Sequence, residues 1–219
     1  MAVILCLETS TTNCSVAVAV DGRIIALQED NNNQYSHAEK LHPFIDQVLA
    51  KSGILKSSLE AIAVSKGPGS YTGLRIGVSA AKGLCFAIDV PLISIPTLEA
   101  LAHQAVIENG LIIPMLDARR LEVYAAVFSS ENDQIRETKA EVLDKNSYND
   151  YLETNKVCFI GDGVEKFKVL CEHKNAIFME DELPSAKQMG ALAEIKYHTK
   201  NFEDVAYFEP YYLKDFIAG

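Results

Sequence analysis

Residues 61–77 read AIAVSKGPGSYTGLRIG. Ala61 to Val64 is a short apolar run with β-branched members, which predicts a buried strand. Lys66-Gly67-Pro68-Gly69-Ser70-Tyr71-Thr72-Gly73 then breaks regular structure. A helix is predicted from about Leu74 to Ile88, rich in the small residues Gly77, Ser79, Ala80, Ala81 and Gly83. Strand, glycine loop and helix is the order that can aim backbone N–H groups at a phosphate. Yet neither GxxxxGK[ST] nor GxGxxG fits the loop. Gly67, Gly69 and Ser70 therefore suit a structural turn or an anion site, and the residues alone leave both open.

Upstream, Val3 to Leu7, Ser15 to Val20 and Arg23 to Leu27 read as a three-stranded meander, with Asp21-Gly22 as a tight turn. Glu8-Thr9-Ser10-Thr11-Thr12 forms the polar turn between the first two strands. Asn31-Asn32-Asn33 is a predicted loop. Ser36 with Glu39 fits a capping box, in which each side chain satisfies a free N–H of a helix's first turn. Leu41, Phe44, Ile45, Val48 and Leu49 follow at helical spacing, interrupted by Pro43 and ended by Ser52-Gly53. Beyond the glycine loop come a strand over Pro91 to Ile95 and a helix over Thr97 to Ile107. The order βββαβαβα fits a mixed sheet covered by helices. A second half starts near Leu111, with strands at Leu111–Leu116, Glu122–Phe128 and Val157–Ile160 and a helix capped by Ser185 running to about His198. It repeats the first half only roughly.

The chain has 219 residues, is 48% apolar and carries a net charge of −10. Nucleic-acid binding draws on basic faces. Here the only paired arginines, Arg119-Arg120, sit between Asp117 and Glu122, which argues against independent tRNA binding. Cys6, Cys14, Cys85, Cys158 and Cys171 include no CxxC pair and read as buried thiols of a reducing compartment. No basic-then-apolar leader and no apolar run of roughly 18–20 residues is present. A cytoplasmic protein is expected. His37 and His42 lie roughly 140° apart on a helix, too far for a shared metal, and read as surface or capping residues. His103, His173 and His198 are scattered. No GxSxG and no Cys–His pair suggests a nucleophile.

Residues 61–77 closely resemble the signature of the TsaB (YeaZ) family, in the actin/Hsp70/sugar-kinase superfamily. Ile4–Thr11, Ser36-His37 through Leu41-His42-Pro43, Pro96–Ala102, Asp117–Arg120 with Glu122-Val123-Tyr124, and Pro210–Lys214 are similar in the right order. The resemblance implies a two-lobed α/β actin-like (RNase H-like) fold. Each lobe would be a mixed sheet with flanking helices, the second smaller and degenerate. The boundary is expected at 110/111, giving lobes 1–110 and 111–219, with the option that the final helix packs back on the first. In that superfamily the turn after the first strand approaches nucleotide phosphates, which makes Glu8, Thr9, Ser10 and Thr11, with Gly67, Gly69 and Ser70, the phosphate-facing candidates. The family usually has Asp at position 8 and Gly at position 121, where this chain has Glu8 and Leu121.

The family's role, by the same resemblance, is a non-catalytic subunit of tRNA threonylcarbamoyladenosine (t6A) synthesis. It would bind its catalytic paralogue TsaD, which transfers threonylcarbamoyl to adenosine 37 of ANN-decoding tRNAs, with the small ATPase TsaE joining them. tRNA would be touched only indirectly, no cofactor would be required, ATP or ADP would bind at the complex, and a homodimer could form without the partner. TsaD carries a metal-binding His-x-x-x-His where this chain has Thr97 and Leu101, neither fit for that role. The expected pairing surface is the two helices of the first lobe, through Phe44, Ile45, Val48, Thr72, Gly77 and Ala81. The rival expectation is an ATP-binding phosphotransferase or ATPase built on Glu8 and the two loops.

Overall fold

A computed structural model describes residues 2–31 and 36–214. Asn32 and Asn33 of the expected loop lie outside them. The chain forms two compact units, residues 1–97 with 184–219 and residues 98–183. The divisions thus fall at Thr97/Leu98 and Leu183/Pro184, and not at 110/111. The reason is packing. The helix Thr97–Ala102 (α3) places Leu98, Leu101 and Ala102 in one cluster with Ile112, Phe128 and Ile160 of the second unit.

Unit 1 contains β1 (Val3–Glu8), β2 (Cys14–Val20), β3 (Arg23–Asp30), α1 (His37–Ser52), β4 (Ala61–Gly67), α2 (Tyr71–Ile88), β5 (Leu92–Pro96) and α6 (Ala186–His198). The sheet order is β3-β2-β1-β4-β5. β1 to β3 pair antiparallel, and β1, β4 and β5 pair parallel. Alternate strand residues point to opposite faces. Leu5, Leu7, Val16, Val18, Ile62 and Val64 form one apolar cluster with Leu41, Phe44, Ile45 and Val48 of α1 and Val78, Ala81 and Cys85 of α2. The residues of opposite parity, Ile4, Cys6, Ala17, Ala19, Ala61 and Ala63, are buried too. They are mostly small, and α6 packs close on β1 and β2.

Local chemistry sets the helix ends. Ser36 is the N-cap of α1, but its hydroxyl donates to Asp30 Oδ2 at 2.9 Å, so the expected capping box does not form. Gly53 ends α1 at a left-handed φ of 69°, which glycine adopts without a Cβ penalty. Pro43 lies inside the continuous helix. α2 opens at Tyr71, earlier than expected, because Ser70 caps it by accepting from Gly73 N at 3.3 Å. Ser185 caps α6, accepting from Lys187 N at 3.0 Å and donating to Glu29 Oε1 at 2.6 Å.

Unit 2 contains α3, β6 (Gly110–Asp117), β7 (Glu122–Ser129), β8 (Gln134–Val142), α4 (Asn149–Leu152), β9 (Lys156–Ile160), α5 (Val164–Lys168) and β10 (Ala176–Met179). Its order, β8-β7-β6-β9-β10, repeats that of unit 1 with the same strand senses. One core centres on Phe159, whose ring lies 4.8 Å from Phe167 and 5.6 Å from Phe178. Among the described residues no helix is long and apolar enough to cross a membrane.

The close seat of α6 is testable at Gly190. A Cβ there would stand 2.8 Å from Ile24 Cδ1 and 3.2 Å from Ala19 Cβ. Gly190→Val should cost about 1–3 kcal/mol in urea unfolding. Gly83 of α2 has nothing within 4 Å of its built Cβ, so Gly83→Ala should instead gain about 0.5–1 kcal/mol. Equal effects of the two changes would contradict this packing.

Candidate functional site

β1 and β4 are parallel neighbours, so the turns that leave them emerge at one end of the sheet. Ligands of open α/β sheets bind outside such carboxyl ends. The fold therefore brings Glu8, Thr9, Ser10 and Thr11 together with Gly67, Gly69 and Ser70.

The two turns are pressed into each other. Ser70 N donates to Ser10 O at 2.6 Å. A Cβ on Gly69 would lie 2.4 Å from Ser10 O, one on Gly73 2.1 Å from Thr9 O, and one on Gly77 2.2 Å from Thr9 Oγ1. Thr9 Oγ1 donates to Gly73 O at 2.8 Å. Gly69 and Gly73 are thus places where α2 and its loop meet the β1–β2 turn backbone to backbone, and Gly77 is where α2 meets the Thr9 side chain. A phosphate has no room between Gly69 and Ser10 in this arrangement.

Glu8 is fully buried. Its Oε1 accepts from Ser10 N at 2.6 Å and from Ser65 Oγ at 2.8 Å. Burial raises its pKa, and the bonds from Ser10, Ser65 and Thr9 offset this only in part. Oε1 serves its own turn, while Oε2 is buried with no hydrogen-bond partner.

His37 corrects the surface reading. It is buried, and its Nε2 lies 2.7 Å from Thr11 O. A carbonyl only accepts, so Nε2 carries the proton. Burial lowers its pKa, against the Thr11 bond and Asp30, which raise it. It fastens the β1–β2 turn to the start of α1. Four of the five cysteines are buried as expected, and burial pushes Cys6, Cys14 and Cys85 to about 12 and Cys158 to about 11; Cys171 is only half-buried.

The expected pairing residues divide. Phe44, Ile45 and Val48 belong to the core of unit 1, and Gly77 and Ala81 face inward on α2; only Thr72 of that set is exposed. They are corrected as surface residues, because the apolar periodicity of α1 marks the face that covers the sheet. The outer surfaces of α1 and α2 instead border an open groove of about 540 Å³, lined by His42, Arg75, Ile76, Ser79, Ala80, Gly83 and Leu84. Phe86 stands 88% exposed on the same helix.

Thr97 and Leu101 are both fully buried, Leu101 among the aliphatic residues of unit 2. Among the described residues no cluster of three or more His, Cys, Asp or Glu could hold a metal. In unit 2 the turn after β6 has Arg119 and Arg120 at left-handed φ of 72° and 50°. Asp117 Oδ1 accepts from Arg119 N at 2.6 Å and from Lys166 Nζ at 2.7 Å. Leu121 is not left-handed, so glycine is not needed there. The C-terminal tail, similar to the family only as a motif, reaches the glycine loop of unit 1. Tyr211 N donates to Lys66 O at 2.7 Å, and a Cβ on Gly67 would lie 2.7 Å from Tyr211 O.

Two five-stranded mixed sheets of one shared topology, with helices on them and paired turns at the ends of the first and fourth strands, define an actin-like α/β protein. Residues 31–218 match the family model of TsaD, tRNA N6-adenosine threonylcarbamoyltransferase. The chain is 34% identical to the tRNA threonylcarbamoyladenosine biosynthesis protein TsaB of Haemophilus influenzae, over 97% of this chain and 93% of that one. It is 30% identical to the TsaB of Escherichia coli, over 98% and 96%. Among solved structures, YeaZ from Pseudomonas aeruginosa matches with a TM-score of 0.83 and 26% identity, over 97% of this chain and 100% of that one. The chain belongs to the TsaB (YeaZ) family.

The burial of Glu8 has a consequence for stability. A raised pKa means the folded chain holds this proton to higher pH than the unfolded chain does. The contribution is present below the ordinary carboxylate range and is lost as pH rises toward the folded value. Glu8→Gln removes the titration. Its stability relative to wild type should therefore increase from about pH 4 to about pH 8 in thermal unfolding. A difference that stays constant over that range would contradict the raised pKa of the buried carboxyl.

Proposed function

We propose that this chain is a non-catalytic subunit of t6A synthesis that works by binding a TsaD-type catalytic paralogue, with a TsaE-type ATPase joining the pair. The observation that carries this reading is the sealed meeting of the two turns in unit 1. Glu8 Oε1 is taken up by its own turn, Oε2 is buried without a partner, and Ser70 N is bonded directly to Ser10 O, so the two turns leave no opening between them. Thr97 and Leu101 add a chemical reason, because a hydroxyl and an aliphatic chain cannot replace two imidazoles as metal ligands. The names of the relatives supply the pathway.

The surface left for partnership is the outer face of α1 and α2. Ser79, Ala80 and Gly83 are small and let a partner helix approach closely, while Ile76 and Leu84 supply apolar area. A stable pairing buries about 1,200–2,000 Å² in total. The same face is open to a second copy when the paralogue is absent. tRNA is then held by the partner, in keeping with the net charge of −10, and nucleotide belongs to the assembled complex. The cytoplasm follows from where such tRNAs are modified.

Ala80→Arg and Ser79→Arg should stay folded and weaken co-purification with the purified TsaD-type partner by about tenfold or more. t6A formation in a reconstituted assay should fall with it. The isolated chain should not turn over ATP. Binding unaffected by both substitutions would remove this face from the interface, and ATP turnover by the chain alone would favour the phosphotransferase reading.

A further inference from the structure

Arg75 is an unusual cation in a chain with 30 acidic and 20 basic residues. It sits one turn into α2, and its guanidinium carbon lies 4.2 Å over the Tyr71 ring centroid. Its Nε donates to the Tyr212 hydroxyl at 3.4 Å. The Tyr71 and Tyr212 rings are 5.0 Å apart. The planar head is thus held on one face and at its Nε edge. Among the described residues Arg75 forms no ion pair. Its two terminal nitrogens make no hydrogen bond among the described residues, Glu209 of the tail acts on it through charge alone, and such a fork matches a carboxylate bidentately.

Tyr212 belongs to the C-terminal tail, and the tail is fastened at several points just before it. Tyr211 N is bonded to Lys66 O at 2.7 Å. Lys82 Nζ donates to Ala206 O and Phe208 O, each at 3.1 Å. The tail therefore brings Tyr212 to Arg75 as a fixed element.

Arg75 lines the groove beside Ile76, Ser79, Ala80 and Leu84. This wall is neutral, small and apolar, and Arg75 is its fixed cation. Charge complementarity then selects the occupant. We infer that Arg75 is a preset anchor for a carboxylate on a partner helix that lays small or apolar side chains into the groove, and that Tyr212 is the positioning residue that presets it. The inference rests on the docking reading above and names the chemistry that reading leaves open. A nucleic acid fits less well, because one fixed cation neutralises too few phosphates. Presetting matters because an arginine already held in its bound rotamer loses less entropy on binding.

The test is the affinity of the full chain for the purified TsaD-type partner, by calorimetry at low and high salt. The variants are Arg75→Gln, Arg75→Lys, Tyr212→Phe, Tyr212→Ala and the double variant Arg75→Gln/Tyr212→Ala. Arg75→Gln should weaken binding about tenfold and flatten its salt dependence. Arg75→Lys should restore only part of it, because an ammonium lacks the planar fork. Tyr212→Ala should lose less than Arg75→Gln, and Tyr212→Phe less still. The double variant should be no weaker than Arg75→Gln alone. Unchanged unfolding midpoints would show that folding is intact.

If wild type binds and Arg75→Gln binds equally well, the anchor is overturned while the docking reading stands. Strictly additive losses overturn the positioning role of Tyr212. If Arg75→Gln alters only self-association in sedimentation, the occupant is a second copy and the stated partner is wrong. Failure of wild type to bind overturns both readings.

Discussion

The hydrogen bond from Ser70 N to Ser10 O is where the architecture of unit 1 is decided. It joins the turn that leaves β1 to the loop that leaves β4. Backbone reaches backbone only if no side chain intervenes, which is what glycine at 69 and 73 secures, while glycine at 77 leaves room for the Thr9 side chain. A Cβ at any of the three would come within 2.4 Å of Ser10 or Thr9. The residue types of the signature follow from this approach, and so does the tilt of α2 onto the sheet. The same approach leaves no room for a phosphate between Gly69 and Ser10. An open cleft and close packing compete here for one volume, and packing holds it.

The two units show the competition from two sides. Their sheets have the same order and strand senses, so Glu8 and Asp117 both end a first strand, and Gly67 and Gly161 both end or follow a fourth. Glu8 turns inward and is wholly buried, whereas Asp117 is exposed and pairs with Lys166. Desolvation raises the pKa of one carboxyl; the other is served by a lysine and a backbone N–H. Topology therefore does not carry chemistry with it. The difference lies in whether the neighbouring loop closes over the strand end.

How much could be read from the sequence depended on where each residue's partners came from. β1, β4 and β5 were legible because buried strands are apolar runs. The strands with no counterpart in the sequence reading are β8 and β10, the two edges of the second sheet. β8 reads QIRETKAEV, and its charged residues and lysine suit an edge open to water. β10 is only four residues long. The start of α1 was legible but its cap chemistry was not, since Ser36 bonds to Asp30 of β3 and not to its own helix. His37 was misread for the same reason: its partner, Thr11, lies 26 positions away. Phe44, Ile45 and Val48 were read as surface because an apolar stripe marks a buried face without saying what buries it.

Rigidity links these features to partnership. α2 is held at its first turn by Ser70, by Thr9 on Gly73 and by the tail through Tyr212 on Arg75. Farther along, Lys82 ties it to Ala206 and Phe208. Its inner face is locked by Val78, Ala81 and Cys85 against the sheet. A helix so held presents its outer groove in one fixed shape, which lowers the ordering cost of any association there. The contacts that join the two turns are also contacts that seat α2 on the sheet. In this chain the joined turns and the stiff outer face are one structural fact.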